Sequence, residues 1–269
     1  MTRARPHWAV ILFGVVILAC LVVMVFGAGI SGYDHRSMNL GERLAPPLTA
    51  GHLLGADEFG RDVLARVLVG LRWSVSIAFL STLIAFTIGA SLGLAAARRQ
   101  SWLSVVLRQV TTFTQAFPAF VLAVTVIALV GDDGFWAVVL TLGLVTWPVF
   151  ARVAYAEGRA LFQREYVLAA EMMAMSRTRL YLRHVLPGLL PSLSVLVVFH
   201  FADMIIAESA LSFLGIGAPL GAATWGAMLS DSRNYLYEAP WLLLAPAGAI
   251  ILIIISAQLF GRRLRETSQ

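Results

Sequence analysis

Three ionisable side chains lie within one long apolar run, and their residue types make them the first candidates for chemistry in this sequence. The run covers residues 189–214 and contains His200, Asp203 and Glu208. An ionisable group in such a run faces the interior of a helix bundle, a water-filled cavity or a partner chain. His200 and Asp203 are three residues apart and so share a face of a helix, whereas Glu208 lies elsewhere on its surface. We therefore expect these residues, together with Ser212, to line a polar path through a membrane.

Other interpretations of the same side chains stay open at this point. In one, His200 and Asp203 hydrogen bond to each other inside the bundle, and Glu208 holds an outer loop near the membrane interface. In another, the three groups form the coupling-ion site of a secondary transporter, a class that commonly shows inverted repeats. The last three apolar runs do not repeat the first three. An intramembrane enzyme would need a fuller catalytic set than His200 and Asp203.

The rest of the sequence contains no motif typical of a catalytic site or a metal site. The five histidines are scattered, and neither a Ser-His-Asp arrangement nor an HExxH helix occurs. The single cysteine, Cys20, excludes a disulfide framework, and no His and Cys cluster has the spacing of metal ligands. We therefore predict no catalytic residue, no metal site and no cofactor bound by this chain, and we expect that the protein is not an enzyme.

Composition places the chain in a membrane. Hydrophobic residues make up 59% of it and charged residues 13%, and the mean hydropathy is +0.82. A soluble domain carries roughly a quarter charged residues. At roughly 20 residues a span, 269 residues allow about six spans with polar connections. The fold class is therefore predicted to be all-α and polytopic, with spans at 8–30, 74–97, 103–130, 135–152, 189–214 and 241–260.

The first apolar run, residues 8–30, has two interpretations, a cleaved signal peptide or a membrane span. It is longer than the 7–15-residue apolar core of a signal peptide, so we predict an uncleaved span. Residues 1–72 then comprise this span and an extracytoplasmic segment, and residues 73–265 form the transmembrane domain. Within that domain we expect Pro118 to kink the third span, residues 103–130.

The basic residues are all arginine apart from histidine, since the sequence contains no lysine. A Walker A motif needs Lys to hold nucleotide phosphates, so any ATP-driven work belongs to a partner. The net charge of +5 does not indicate nucleic-acid binding, because the arginines lie at the ends of apolar runs. Arginine is concentrated at both termini and at 98–108 and 152–183, whereas acidic residues predominate in the segments between. By the positive-inside rule, both termini and the loop 154–188 are predicted to be cytoplasmic.

A polar stretch, residues 165–191, lies between two of the apolar runs. It begins with good helix formers, and apolar residues such as Val167 and Ala170 recur at helical spacing, which predicts an amphipathic helix. A short turn and a second short helix follow, ended by a break at Leu186-Pro187. A helix-turn-helix held at the membrane surface by spans on both sides suits docking to another protein. The general expectation for such a connection is an ordinary solvated loop.

Within this stretch, Ala169-Ala170 is followed after three intervening residues by Ala174 and, after a further nine intervening residues, by His184-Val185-Leu186-Pro187. This pattern resembles the EAA loop of ABC-importer permeases, and its continuation is similar to the dipeptide/oligopeptide/nickel branch of that family. Leu168 stands where the family usually has Glu. Ala174 stands where it usually has Gly, a residue that permits a sharp turn or a close backbone approach.

Two further segments resemble signatures of the same permeases. His52 to Asp62 is similar to the H-x-L-G-T-D-x-x-G-R-D segment ahead of the second span, with Ala56 in place of Thr. Glu208 to Gly217 resembles the E-x-x-L-S-F-L-G-L-G end of the fifth span. In the first segment we expect a structural clamp, rather than a substrate contact, formed by Asp57, Gly60, Arg61 and Asp62.

The resemblance implies a type I importer architecture, with six transmembrane helices and a cytoplasmic coupling-helix loop at 154–188 that couples to the ATPases through residues 165–190. It implies pairing with a second permease, two cytoplasmic ATPases that bind ATP-Mg, and an extracytoplasmic binding protein that delivers di- or oligopeptides, a nickel complex or another small solute. The location implied is a bacterial or archaeal inner membrane, in contact with lipid and without a nucleic-acid partner. The residues implied in ATPase coupling are Glu165, Tyr166, Ala169, Ala170, Ala174, Ser176, Arg183, His184, Leu186 and Pro187.

Overall fold

The computed structural model describes residue 14 and residues 34–49, 51–98, 101–131, 134–173, 175–217 and 221–267. The predicted first span, 8–30, lies outside the described residues except for residue 14. Within the described ranges, regular structure is helical apart from two isolated backbone bridges in the segment ahead of the first long helix. The predicted all-α fold class is confirmed.

Nine α-helices occur in the described ranges, and we number them in chain order. They are α1 (Val63–Ala97), α2 (Trp102–Gln115), α3 (Ala119–Val130), α4 (Phe135–Phe162), α5 (Glu165–Met172), α6 (Arg177–Leu180), α7 (Leu186–Phe213), α8 (Trp225–Ser232) and α9 (Trp241–Thr267). A π-helical turn, Tyr181–Val185, joins α6 to α7, and short 3-10 turns lie at Leu40–Glu42 and Arg233–Tyr235.

Four helical segments of the described chain are long and apolar enough to cross a membrane: α1, α4, α9 and the continuous stretch from α6 to α7. The predicted third span, 103–130, is not one kinked helix, because α2 and α3 meet at 90°. Pro118 explains the break, since it has no amide hydrogen to continue α2 and stands at the start of α3. If this bent pair is one broken span, the described chain has five. A count of six remains a prediction.

Several helices extend beyond the apolar runs that predict them. α1 begins at Val63, ahead of its predicted start, because the Asp62 side chain accepts a hydrogen bond from the Ala65 amide and caps the helix. The predicted division between residues 1–72 and 73–265 therefore falls inside α1. α4 and α9 likewise run past the predicted ends of their spans. An apolar run predicts the part of a helix that suits lipid, whereas backbone hydrogen bonding continues through polar turns.

The contact between α1 and α4 is the most extensive among the described helix pairs. Gly89 and Gly93 on α1 permit it. A Cβ added at Gly89 would lie 2.3 Å from the Trp147 carbonyl oxygen, and one added at Gly93 would lie 2.3 Å from that of Ala151. Small residues at a helix interface let the two backbones approach closely. The short distance between α1 and α4 therefore depends on the absence of side chains at Gly89 and Gly93.

Two buried apolar clusters join this pair to the later helices. In one, the fully buried Trp225 donates its Nε1 hydrogen to the Val67 carbonyl at 3.0 Å, which fastens the start of α8 to α1. In the other, Phe150 of α4 packs with Ala85 of α1 and Leu193 of α7. The helix that carries His200, Asp203 and Glu208 is thus held against both members of the α1–α4 pair.

We predict that Gly93→Ala destabilises the bundle by about 1–3 kcal/mol, the usual effect of overpacking a close contact. The added methyl group would overlap the Ala151 carbonyl of α4. Thermal unfolding of the purified protein in detergent measures the change. Gly248→Ala is the matched control, because no atom lies within 4 Å of a Cβ added there. Equal unfolding midpoints for the two variants would contradict the proposed role of the close contact.

Candidate coupling surface, outer clamp and path residues

The segment 165–187 folds against the ends of two long helices. Val167 and Ala170, on one face of α5, are buried at 0% and 4% exposure. They belong to a small cluster that also contains Ala97 from the end of α1, Phe162 from the end of α4, Leu180 and Val185. The burial of one apolar face of a short helix explains why α5 is stable as part of this fold although it is only eight residues long.

The other face of α5 is open and mixes apolar with polar groups. Met172 and Met173 are 83% and 80% exposed, and Leu168 is 45% exposed. Among the residues predicted for coupling, those with exposed side chains are Glu165, Tyr166, Ala169, Ser176, Arg183 and Pro187.

The remaining predicted coupling residues differ in their exposure. Ala170 lies in the segment's own core, where it supports the helix, and its predicted part in ATPase coupling stays a prediction. His184 and Leu186 are half-buried, and the His184 carbonyl accepts a hydrogen bond from the Tyr166 hydroxyl at 3.4 Å. Ala174 lies outside the described residues.

Two polar contacts tie this region to the long helices. Arg98, which follows α1, donates from Nη2 to Glu171 Oε1 of α5 at 3.1 Å. Ser192 of α7 donates from its hydroxyl to Glu157 Oε2 of α4 at 2.7 Å. The sequence does not indicate either pair, because the two members of each are far apart in the chain and no local spacing relates them.

The predicted break at Leu186-Pro187 does not occur, since the helix is continuous from Arg177 to Phe213. Pro187 removes one backbone donor and its ring crowds the carbonyl of Arg183, four residues earlier. The wider π-helical turn at Tyr181–Val185 lies where this crowding arises. Of the four residues predicted as the short turn, 176–179, the last three are helical and belong to α6, and Ser176 precedes that helix.

At the opposite end of α1, the four residues of the predicted clamp lie together. Arg61 Nε donates to Asp57 Oδ2 at 2.7 Å, and the Arg61 amide donates to Asp57 Oδ1 at 2.9 Å. Gly60, between them, has a φ of +70° and passes so close to Asn39 that any side chain would overlap its backbone. Arg66 also donates to Asp57 through Nη1 and reaches Asp231 through Nη2 at 3.4 Å.

The fourth residue of the predicted clamp, Asp62, makes two contacts of its own. It caps α1 and does not pair with Arg61; its Oδ2 lies 2.7 Å from Nδ1 of His52. Nε2 of His52 lies 3.0 Å from Glu42 Oε2, so each ring nitrogen faces a carboxylate oxygen. Both nitrogens therefore donate, as they do only in the imidazolium form. Burial opposes that charge, but the hydrogen bonds that His52 donates to Asp62 and Glu42, with the attraction of the two carboxylate charges, outweigh it and raise the pKa of His52.

We call Asp57, Gly60, Arg61 and Asp62, with His52, Glu42 and Arg66, the outer clamp. Its three added members were not predicted as clamp residues. His52 and Arg66 do lie within or next to the recognised signature, whereas Glu42 has no sequence signal that points to His52.

The four predicted path residues of α7 have distinct surroundings. His200 is buried and its Nε2 lies 3.1 Å from the Thr146 hydroxyl oxygen of α4. That hydroxyl donates to the Leu142 carbonyl at 2.7 Å, so His200 must be the donor to it. Glu208 is fully buried and accepts a hydrogen bond from Ser212 at 2.9 Å.

Asp203, in contrast, is exposed and forms no hydrogen bond or ion pair with any described residue. The hydrogen bond between His200 and Asp203 that the alternative interpretation requires is therefore not formed. Over the described ranges, no group of three or more His, Cys, Asp or Glu side chains could hold a metal ion.

The helices and sites described above fall largely within one match to known proteins. The sequence profile of the family described as "Binding-protein-dependent transport system inner membrane component" matches residues 86–266, which include the 165–187 segment and all of α7. The chain belongs to this family. It is a multi-pass permease subunit of an ABC import system and not a secondary transporter.

Relatives of this permease along nearly the whole chain are peptide-transport permeases. The dipeptide transport system permease protein DppC of Alkalihalophilus pseudofirmus is 30% identical, over 94% of this chain and 82% of that protein. The glutathione transport system permease protein GsiD of Pectobacterium atrosepticum is 32% identical, over 97% and 86%. The probable D,D-dipeptide transport system permease protein DdpC of Escherichia coli K12 is 32% identical, over 94% and 84%.

The fold of the permease is also found in a solved ABC importer. The MetNI methionine ABC transporter, in an inward-facing conformation, contains a chain that superposes with a TM-score of 0.58 at 18% identity. The match covers 76% of this permease and 96% of that chain. The predicted type of transmembrane architecture is confirmed at the level of the fold.

We predict that the outer clamp of the permease weakens as the pH rises. The ordinary pKa of histidine is about 6.5, and that of His52 is raised in the folded state. Its contribution to stability is therefore complete below pH 6.5 and is lost as the pH passes through the folded-state pKa. His52→Gln should cost roughly 3 kcal/mol at pH 6, as for other broken buried pairs, and should remove this part of the pH dependence.

The measurement is the thermal unfolding midpoint of the purified permease between pH 6 and pH 9. His35→Gln is the control and should change the midpoint little at any pH in this range. One ring nitrogen of His35 lies 3.2 Å from the exposed Asp34, and His35 itself is only half-buried. A wild-type midpoint that rises over this pH range relative to His52→Gln would show that the histidine is not held in its charged form.

Proposed function

We propose that this permease forms, together with a second permease, the membrane path of an ATP-driven importer of di- or oligopeptides. Two cytoplasmic ATPases supply the movement, and they dock on the 165–187 segment. The observation that carries this proposal is the structure of that segment: one face of α5 is locked onto the ends of α1 and α4, and its other face is open.

The open face has the character of a docking surface. It carries two methionines and a leucine beside the arginines of α6, all exposed. Exposed apolar groups surrounded by polar ones mark surfaces that bind other proteins. A short helix that presents such a face suits insertion into a groove on its partner. ATP and Mg²⁺ then belong to the partner, since this chain has no lysine for a Walker A motif.

Movement applied to α5 has a direct route into the membrane bundle. The cluster around Val167 and the Arg98–Glu171 ion pair connect α5 to the ends of α1 and α4. The continuous helix from Arg177 to Phe213 extends the same segment across the membrane. A displaced α5 therefore carries the ends of three spans with it, and ATP binding biases the bundle between inward-facing and outward-facing arrangements.

Short peptides are the solute class that the relatives favour. Their names specify dipeptides, D,D-dipeptides and glutathione, and each is about a third identical to this chain over most of its length. A free nickel ion is disfavoured, because the described residues contain no cluster able to hold a metal ion. A binding protein would deliver the peptide at the end of the bundle that carries the outer clamp.

The orientation proposed here follows from the distribution of arginine. The 165–187 segment and both termini lie on the cytoplasmic side, and the outer clamp lies on the opposite side of a bacterial or archaeal inner membrane. This orientation brings the open face of α5 to the compartment that supplies ATP. Residues 73–265, with the α1 turns that precede them, are proposed as the transmembrane domain.

We predict that Ala169→Arg lowers both co-purification of the ATPases and dialanine uptake about tenfold, the effect of about 1.4 kcal/mol at an interface. Ala169 is exposed on α5, so the new side chain should block docking and leave the permease stable. Ala170→Arg should instead destabilise the segment, since Ala170 is 4% exposed within its core. Pull-down, uptake and thermal unfolding are measured together.

Glu238→Arg, an exposed substitution beyond the other end of the bundle, is the control and should retain ATPase binding and uptake. Full ATPase co-purification and uptake by Ala169→Arg would refute docking on this face of α5.

A further inference from the structure

Asp203 is the one carboxylate in the middle of the described spans that nothing in the described chain neutralises. It lies ten residues before the end of α7 at Phe213, which corresponds to about 15 Å along a helix. The hydrocarbon core of a bilayer is about 30 Å thick, so Asp203 lies near mid-membrane. A charged side chain at that depth is costly unless it meets water or a partner.

The other carboxylates of the spans are already satisfied. Glu208 is enclosed by Ser209 and Ser212, with no exposed surface. Glu157, close to the end of α4, accepts the Ser192 hydroxyl hydrogen. His200 is directed toward Thr146 and stacks edge-on against Phe150. Among the polar groups of α7 considered for the path, Asp203 is thus the one with an open face.

The inner stretches of the described spans supply no arginine or lysine side chain for this open carboxylate. The inner stretches of the described spans, 73–97, 135–151, 184–213 and 241–261, contain no arginine, and the sequence has no lysine. A fixed negative charge without a counter-charge attracts cations when it faces a water-filled channel whose walls have a low dielectric constant. One carboxylate alone does not make a metal site, and no metal-binding group occurs in the described ranges. An organic ammonium group is the cation that suits a single carboxylate of this kind.

We propose that Asp203 faces the solute path and attracts the α-ammonium group of the transported peptide. The inference rests on the proposed function, which supplies the path and the solute class. Dipeptides, D,D-dipeptides and glutathione, the compounds in the names of the relatives, differ in stereochemistry and linkage. All of them carry a free α-ammonium group. A carboxylate that interacts only with this ammonium group would accept peptides of different stereochemistry and linkage. It would disfavour N-acylated peptides, which lack the positive charge.

The charge in the path can be measured without knowing the solute. In a Cys20→Ser background, the reporter Ile206→Cys places a thiol one turn from Asp203, at a position that is 50% exposed. The complete importer is treated with a cationic and an anionic methanethiosulfonate reagent, and the two reaction rates are compared. At about 6 Å in water, one charge changes each rate about threefold in opposite senses, so the ratio changes about tenfold.

We expect the cation-to-anion rate ratio at the reporter to fall about tenfold when Asp203→Asn is added. Ser194→Cys is the matched reporter, exposed on the same helix but about 13 Å away, where salt screens the charge and the ratio should not change. No reaction of the Ile206→Cys thiol with either reagent, or an unchanged ratio, would overturn the proposal.

Transport supplies the second readout. Uptake of dialanine should fall about tenfold in Asp203→Asn and be largely retained in Asp203→Glu, with N-acetyl-dialanine a poor competitor in the wild type. If Asp203→Asn instead abolishes co-purification of the second permease, the residue belongs to the subunit interface and the proposal is wrong. If the wild-type importer does not carry dialanine at all, the proposed function fails, and the reagent ratio still decides whether Asp203 charges an aqueous path.

Discussion

The close contact of α1 with α4 is the constraint on which the rest of this permease depends. Two glycines bring the backbones together, and each end of the resulting pair then carries one of the two structures to which a role is proposed. Residues near one end, Ala97 and Phe162, form part of the core under α5. Beyond the other end of α1, the residues that precede and begin the helix form the outer clamp. α7 packs against both helices between these ends.

This arrangement gives polar groups two contrasting roles. In the outer clamp they are buried and mutually satisfied, with Asp57 shared by two arginines and His52 held between two carboxylates. Such networks specify one conformation when every member is satisfied. On α7, Asp203 is left without a partner in the described chain. In the proposed function the two groups of residues have different roles. The satisfied residues of the outer clamp hold the outer segment fixed, whereas the unpartnered Asp203 presents a charge to the solute in the path.

The sequence predicts much of this architecture, and the failures have identifiable physical causes. Hydropathy located the long helices but not their ends, because Asp62 caps α1 well before the apolar run begins. Helical spacing placed Ala170 on the apolar face of α5, where the structure buries it, whereas the resemblance counted the same residue among those that dock on the ATPases. The pairs Arg98–Glu171 and His52–Glu42 depend on tertiary contacts that no local pattern contains.

The surroundings of His200 and Asp203 likewise depend on tertiary contacts that the local sequence pattern does not predict. Residues three apart are about 60° apart around a helix, close enough to suggest a shared face. That rotation is sufficient to direct His200 into the contact with α4 and to leave Asp203 exposed. Whether a residue on this part of α7 is buried, like His200, or exposed, like Asp203, depends on the positions of the neighbouring helices.

The central claim is that the 165–187 segment moves as one body with the end of α4. The most direct test is the distance between spin labels at Thr178→Cys on α6 and Ala160→Cys on α4, both exposed sites, in a Cys20→Ser background. Pulsed electron paramagnetic resonance on the complete importer gives this distance without nucleotide and with ATP-Mg. We predict one narrow distribution, the same in both states. A distribution that shifts or broadens on ATP binding would mean that the segment hinges independently of the membrane helices, and would contradict this account of coupling.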